Sequence, residues 1–247
     1  MSEWLRARVH EAGAHGIVLG LSGGIDSAVV ARVSQLACPG GVMTVIMPAN
    51  SDPQDAADAT LVAETFDLPV MTIDLARPLE ALLVQSQQAL GTWPPGAAPD
   101  DEKRARLAQA NLKPRLRMTT LYYVANRLNY LVAGTGNRAE IAVGYYTKYG
   151  DGGVDVLPLG ALVKSEVRSL ARELGVPPRV IDKPPSAGLW AGQTDEGEMG
   201  FTYADLEDYL LRGPDAVAPA TAMKIERLAR ASEHKRHLPP VFQPHAK

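Results

Sequence analysis

The stretch Gly20-Leu21-Ser22-Gly23-Gly24-Ile25-Asp26-Ser27 constrains the fold of this chain more than any other. It follows Gly16-Ile17-Val18-Leu19, a short apolar run that reads as a fully buried strand. It precedes Ala28–Ala37, where apolar residues recur at helical spacing. A strand, a tight glycine turn and a helix together make an anion site. The first N–H groups of a helix have no intrahelical partner, and the helix dipole adds partial positive charge there. Gly23 and Gly24 can take positive φ and leave room for an anion to approach the backbone. The turn lacks the lysine of a Gly-x-x-x-x-Gly-Lys-Ser/Thr loop. Instead Asp26 stands where a carboxylate would repel phosphate unless a cation lay between them, and Mg²⁺ binds carboxylate and phosphate oxygens together. The plainer alternative makes Asp26 and Ser27 ordinary helix caps.

The remaining pattern alternates strands with helices. A leading helix over 2–12 is followed by strand Val42–Met47, a helix from Pro53 to about Phe66, strand Val70–Ile73 and a helix over 76–90. The acidic residues of the 53–66 helix and its start at Ser51-Asp52-Pro53, namely Asp52, Asp55, Asp58 and Glu64, read as a solvated face. Residues 91–100 are irregular, and 101–130 are helical, with Pro114 expected to split them. Six cations occupy the first part of that segment, Arg115 and Arg117 among them. Leu116–Tyr130 is apolar around much of its circumference, which suits either a core helix or a subunit interface. Tyr130–Gly134 reads as a fourth strand, with Asn137 opening a short helix through Glu140. Helices are also expected over Lys164–Leu174, 203–211 and 220–235, and 182–200 reads as a glycine-rich loop able to act as a lid. Such alternation predicts an α/β fold with a doubly wound, mainly parallel sheet flanked by helices. Ligands of these sheets bind at the carboxyl ends of the strands, where Ser22–Ser27 and Thr135–Glu140 both fall.

Composition narrows the partners. The chain has 247 residues, 46% of them hydrophobic, enough for one domain spanning 1–247. A net charge of −3 offers no general case for nucleic acid or an acidic membrane. The single Cys38 excludes an intrachain disulfide and a Cys-pair zinc site. With no signal-peptide pattern and no apolar run near ~18 residues, the expected location is cytoplasmic.

The glycine turn resembles the pyrophosphate loop of N-type ATP pyrophosphatases, enzymes of adenine-nucleotide α-hydrolase-like fold that adenylate a substrate. Later segments narrow the likeness. Leu131–Glu140, Gly144–Gly153 with its Lys148-Tyr149-Gly150-Asp151-Gly152-Gly153 run, Leu157-Pro158-Leu159, Lys183–Ala187, Asp195-Glu196 and Ser232–Arg236 closely resemble ammonia-dependent NAD⁺ synthetase. That resemblance implies amidation of deamido-NAD⁺ with ammonia, with ATP consumed and AMP and pyrophosphate released. It assigns Gly20, Leu21, Ser22, Gly23, Gly24, Ile25, Asp26, Ser27, Thr135, Lys164 and Ser186 to ATP. It gives Asp26 and Glu140 to Mg²⁺, and Arg115, Lys148, Asp155, His234 and Lys235 to deamido-NAD⁺. Asp26 and Lys164 would carry the chemistry, with Asp151 or Asp155 as the base for ammonia. The family has threonine where this chain has Ser186, and commonly threonine where Val163 precedes Lys164. The family is homodimeric, and no residues remain here for a glutaminase domain. The alternatives are another ATP pyrophosphatase, such as a GMP-synthetase-like enzyme, or a nucleotide-binding regulator without catalysis.

Overall fold

A computed structural model describes residues 1–92, 101–186, 188 and 193–243. The chain opens with α1 (Ser2–Glu11), then β1 (Gly16–Gly20), α2 (Ile25–Ala37), β2 (Val42–Ile46) and α3 (Pro53–Thr65). β3 (Val70–Thr72), α4 (Ala76–Gly91), α5 (Glu102–Leu128), β4 (Tyr130–Val132) and α6 (Arg138–Val143) follow. The C-terminal third carries α7 (Lys164–Glu173), α8 (Pro178–Ile181), α9 (Asp195–Met199), α10 (Tyr203–Arg212) and α11 (Pro219–Ala231).

The described strands form one sheet in the order β3-β2-β1-β4, with every pairing parallel. A parallel bridge from Ala133 to Val156 extends the β4 edge. Side chains alternate across the sheet as strand geometry requires. Ile17 and Leu19 face a core built with α1, α2, α3 and α7, whereas Val18 and Val45 face α4 and α5. Helices therefore cover both faces, which is why the central strands are largely apolar, with buried Thr44 satisfied by the Pro69 carbonyl. A smaller third core joins Ala139 and Val143 of α6 to Met199, Tyr203, Leu206 and Ile225. It fixes the C-terminal helices over the carboxyl end of β4.

Four details depart from the sequence expectation. α5 runs unbroken through Pro114, which is buried against the turn at Gly150, so tertiary packing outweighs the local cost of proline. The 182–200 segment contains α9, whose Thr194 side chain caps Gly197 N–H. α8 arises where no helix is expected, with Pro178 at its first position. The 220–235 helix ends at Ala231 and gives way to a 3₁₀ turn at Glu233–Lys235. Most of the irregular 91–100 stretch, and part of the 182–200 lid, lie outside the described residues.

Candidate active site

β1 and β4 lie side by side, and the chain leaves their carboxyl ends in two turns that share one cavity of about 1590 Å³. Pockets for one small molecule usually run to ~300–1,000 Å³, so this volume suits two nucleotide-sized ligands. Of the residues expected at the site, only Gly23 and Asp155 are absent from its lining.

Gly23 works from behind. Its φ is +79°, and a Cβ there would sit 2.3 Å from the Asp55 carbonyl oxygen, so the turn backs directly onto α3. Leu21 and Ile25 are core side chains, so what they offer the cavity is backbone. Ser22 and Ser27 brace the turn through a hydroxyl contact of 3.1 Å, and Ser27 Oγ donates to the Gly24 carbonyl. α2 has no side-chain cap, so its first N–H groups remain directed at the cavity. Asp26 is not a cap.

Asp26 instead anchors a buried cluster. Its Oδ2 lies 2.5 Å from Lys164 Nζ, and its Oδ1 accepts from Asn137 Nδ2 at 3.2 Å. Asn137 is fully buried and caps α6 by accepting from the N–H groups of Ala139 and Glu140. Glu140 returns the bond by accepting from Asn137 N–H at 3.0 Å. Tyr203 Oη approaches Glu140 at 3.4 Å and donates to Asp195 at 2.9 Å. Burial, and then the neighbouring Asp26 carboxylate, push the Glu140 carboxyl up to about 8. Burial works against the Lys164 ammonium, but Asp26 and Glu140 outweigh it and hold the group above its ordinary value. The Lys164 shift reports the facing negative charge, and the Glu140 shift reports burial first and that charge second. Two carboxylates with that charge, beside a helix N-terminus that favours phosphate, fit an oxygen-seeking divalent cation whose other ligands are phosphate and water. Among the described residues there is no group of three or more His, Cys, Asp or Glu arranged to hold a metal ion.

The other end of the cavity is the 144–153 turn. Thr147 N–H donates to Asp151 Oδ1 at 2.9 Å, and Tyr149 takes a positive φ of 59°. Asp151 itself is exposed, and that N–H orients its carboxylate on the turn. Lys148 Nζ donates to the His234 carbonyl at 2.6 Å. Arg115 makes two longer contacts, 3.4 Å each, to the Lys148 carbonyl. Lys235 Nζ holds the carbonyls of Gly144 and Tyr146 at 2.7 and 2.6 Å. Asp155 is the outlier: Tyr122 Oη and Val132 N–H occupy its two oxygens on the protein surface. Thr135 sits between β4 and Asn137, and Ser186 Oγ donates to the Gln193 carbonyl at 2.9 Å.

Sequence reasoning missed three contributors. Asn137 has a local signal, an Asn with Glu three residues on, but its bond to Asp26 spans 111 positions. Lys183 lines the cavity and bridges Asp55 at 2.8 Å and Asp58 at 2.7 Å, while Arg179 also pairs with Asp58. Asp58 is 2% exposed and Asp55 half-buried, which corrects the solvated-face reading for those two; Asp52, the cap of α3, and Glu64 are exposed. Arg117, read as one cation of a polar face, crosses the cavity wall to the Met47 carbonyl and Ser51.

Comparison with known proteins agrees with this geometry. The family model described as NAD synthase matches residues 1–239. The chain is 50% identical to the NH(3)-dependent NAD(+) synthetase of Carboxydothermus hydrogenoformans, over 96% of this chain and 93% of that protein. The structure of NMN synthetase from Francisella tularensis superposes with a TM-score of 0.86 at 37% identity, covering 98% and 94% of the two chains. The NH3-dependent NAD synthetase of Campylobacter jejuni, in complex with the nitrate ion, gives a TM-score of 0.77 at 26% identity, covering 98% and 96%. With the match spanning nearly the whole chain and the same parallel α/β frame beneath it, this protein belongs to the NAD synthase family.

Proposed function

We propose that this chain converts deamido-NAD⁺ to NAD⁺ with ammonia and ATP, in a single domain spanning 1–247. The observation that carries the reading is the Asp26–Asn137–Glu140–Lys164 cluster set at the open N-terminus of α2, in one cavity with the Lys148–Gly153 turn. In the first step a nicotinate carboxylate oxygen attacks the ATP α-phosphorus, the bond to the bridging oxygen breaks, and pyrophosphate leaves. In the second, ammonia attacks the acyl carbon, loses a proton, and expels AMP. A carboxylate is a poor acylating agent, and adenylation supplies its leaving group.

The chain's part is to position and neutralise. N–H groups of α2 and the Lys164 ammonium take the developing charge on pyrophosphate, with Thr135 and Ser186 hydroxyls on the nucleotide. Asp26 and Glu140 would hold Mg²⁺, which would supply Lewis-acid charge neutralisation for the phosphate. Arg115, Lys148, His234 and Lys235 would receive deamido-NAD⁺, and Asp151, which lines the same cavity, would take the proton that ammonia loses. Retention of Asp26, Glu140 and Lys164 argues against a non-catalytic regulator. Cys38 argues against a built-in glutaminase, since burial raises its thiol and it lies outside the cavity. The exposed apolar residues Leu90 of α4 and Leu107 and Tyr123 of α5 favour a homodimer through these adjacent helices.

One assay tests the reading: ATP, Mg²⁺, ammonium and deamido-NAD⁺ are combined, with NAD⁺ and pyrophosphate measured. Pyrophosphate release that does not depend on deamido-NAD⁺ would overturn it, as would equal turnover with glutamine alone. The likeness to NMN synthetase supports a second substrate, the nicotinate mononucleotide, but the higher identity to an NH(3)-dependent NAD(+) synthetase favours the dinucleotide. Comparing kcat/KM for the two substrates separates them. Sedimentation at micromolar concentration should give a dimer; a monomer would remove the subunit proposal.

A further inference from the structure

Lys164 and a divalent cation compete for the same atom. Asp26 Oδ2 is bonded to Lys164 Nζ at 2.5 Å, and Asp26 Oδ1 is engaged by Asn137. Lys164 is 3% exposed, its ammonium lies 5.2 Å from the Tyr203 ring centroid, and it borders the cavity where a nucleotide would sit. Its backbone is fixed independently. Glu166 accepts from Val163 N–H at 2.9 Å and Glu207 from Ser165 N–H at 2.7 Å, which ties down the start of α7. Only the side chain is left to move. A cation at the first position of a helix opposes the dipole and is held there by the facing carboxylates, Asp26 foremost.

We propose that Lys164 acts as a gatekeeping counter-ion. It neutralises Asp26 and keeps divalent metal off that carboxylate until a triphosphate offers the ammonium a new partner. Metal binding at Asp26 is thereby coupled to nucleotide binding, so that the cation enters with ATP and not before it. By linkage, a ligand that draws the ammonium away must strengthen metal binding by the same factor that metal strengthens the ligand. The inference rests on Asp26 and Glu140 being the cation's protein ligands.

Mn²⁺ titrations of the full chain, followed by electron paramagnetic resonance, test it directly. Without nucleotide, Lys164→Met should bind one Mn²⁺ roughly tenfold or more tighter than wild type, because a charge-assisted contact no longer has to be broken. Lys183→Met, which removes another cavity cation, should not reproduce this gain. Equal gains in both variants would mean general electrostatics, and no gain in Lys164→Met would mean no competition; either overturns the proposal. A variant that keeps the lysine guards against misfolding of Lys164→Met. Asp26→Asn in the otherwise wild-type chain should leave nucleotide-free Mn²⁺ affinity unchanged, yet lower it roughly tenfold or more with a non-hydrolysable ATP analogue. A loss already present without nucleotide would overturn the gate. Glu140→Gln tests the ligand assignment separately: unchanged Mn²⁺ affinity with the analogue would remove that assignment, whatever Lys164 does.

Discussion

The two ends of the cavity are held together by different acceptors. At the phosphate end the acceptors are the side-chain carboxylates of Asp26 and Glu140, met by the Lys164 ammonium, the Asn137 amide and the Asn137 main-chain N–H, largely shielded from water. At the turn end, Arg115, Lys148 and Lys235 donate to main-chain carbonyls, and Arg115 is exposed. A buried ionic cluster is geometrically exacting, because each member left unpaired carries a large desolvation cost. A solvent-facing cation on a carbonyl can exchange that acceptor for a substrate oxygen at little cost. The first arrangement suits a reaction centre where charge develops and must meet fixed groups. The second suits docking of the dinucleotide.

The largest expected effect is at the phosphate end. Asp26→Ala should lower kcat/KM by about 10³-fold or more, since it removes both a cation ligand and the partner of a buried ammonium. Pyrophosphate release measures this, and a loss smaller than that of any turn-end variant would break the comparison. The next effect concerns stability. Asp58→Asn should cost about 2 kcal/mol in denaturant unfolding, below the full value for a buried pair because Lys183 and Arg179 are partly solvated. Burial opposes the ionised Asp58, but the hydrogen bonds from Lys183 and Gln54, aided by Arg179, outweigh it and set the carboxyl below its ordinary value. A depressed folded-state value means the contribution is present above pH 3.8 and lost as pH falls through the folded-state value. Asp58→Asn should abolish that acid-side decline, and an unchanged decline would show that other carboxylates cause it.

Lys148→Met sharpens the contrast. It should raise KM for deamido-NAD⁺ by roughly tenfold while leaving kcat and the KM for ATP within about twofold, the pattern of lost uniform binding. A fall in kcat instead would place Lys148 in the reacting geometry. The smallest effect is Tyr122→Phe, which frees one oxygen of Asp155 and should cost about 1 kcal/mol of stability. If KM for deamido-NAD⁺ rises with it, Asp155 meets that substrate from the surface, despite lying outside the cavity.

The glycine turn, the order of the central strands and helices, and the capping pair Asn137 and Glu140 were legible from sequence. Each depends on residues within a few positions: a glycine that can hold φ of +79°, apolar runs at strand or helix spacing, and a side chain bonding its own helix start. The family likeness added the residues that line the cavity. What only the tertiary structure decided is who partners whom. Asp58 reads as solvated until Lys183, 125 positions later, arrives beside it. Asp155 reads as a substrate contact until Tyr122 and Val132 take its oxygens. Pro114 reads as a break until burial against Gly150 holds the helix through it. Lys164 reads as a phosphate ligand, and only the fold shows that Asp26, 138 positions away, already engages its charge. Local patterns fix conformation because their energies are set by near neighbours along the chain. The state of a charge is set by whatever the fold brings within a few ångströms, and no spacing in the sequence encodes that distance.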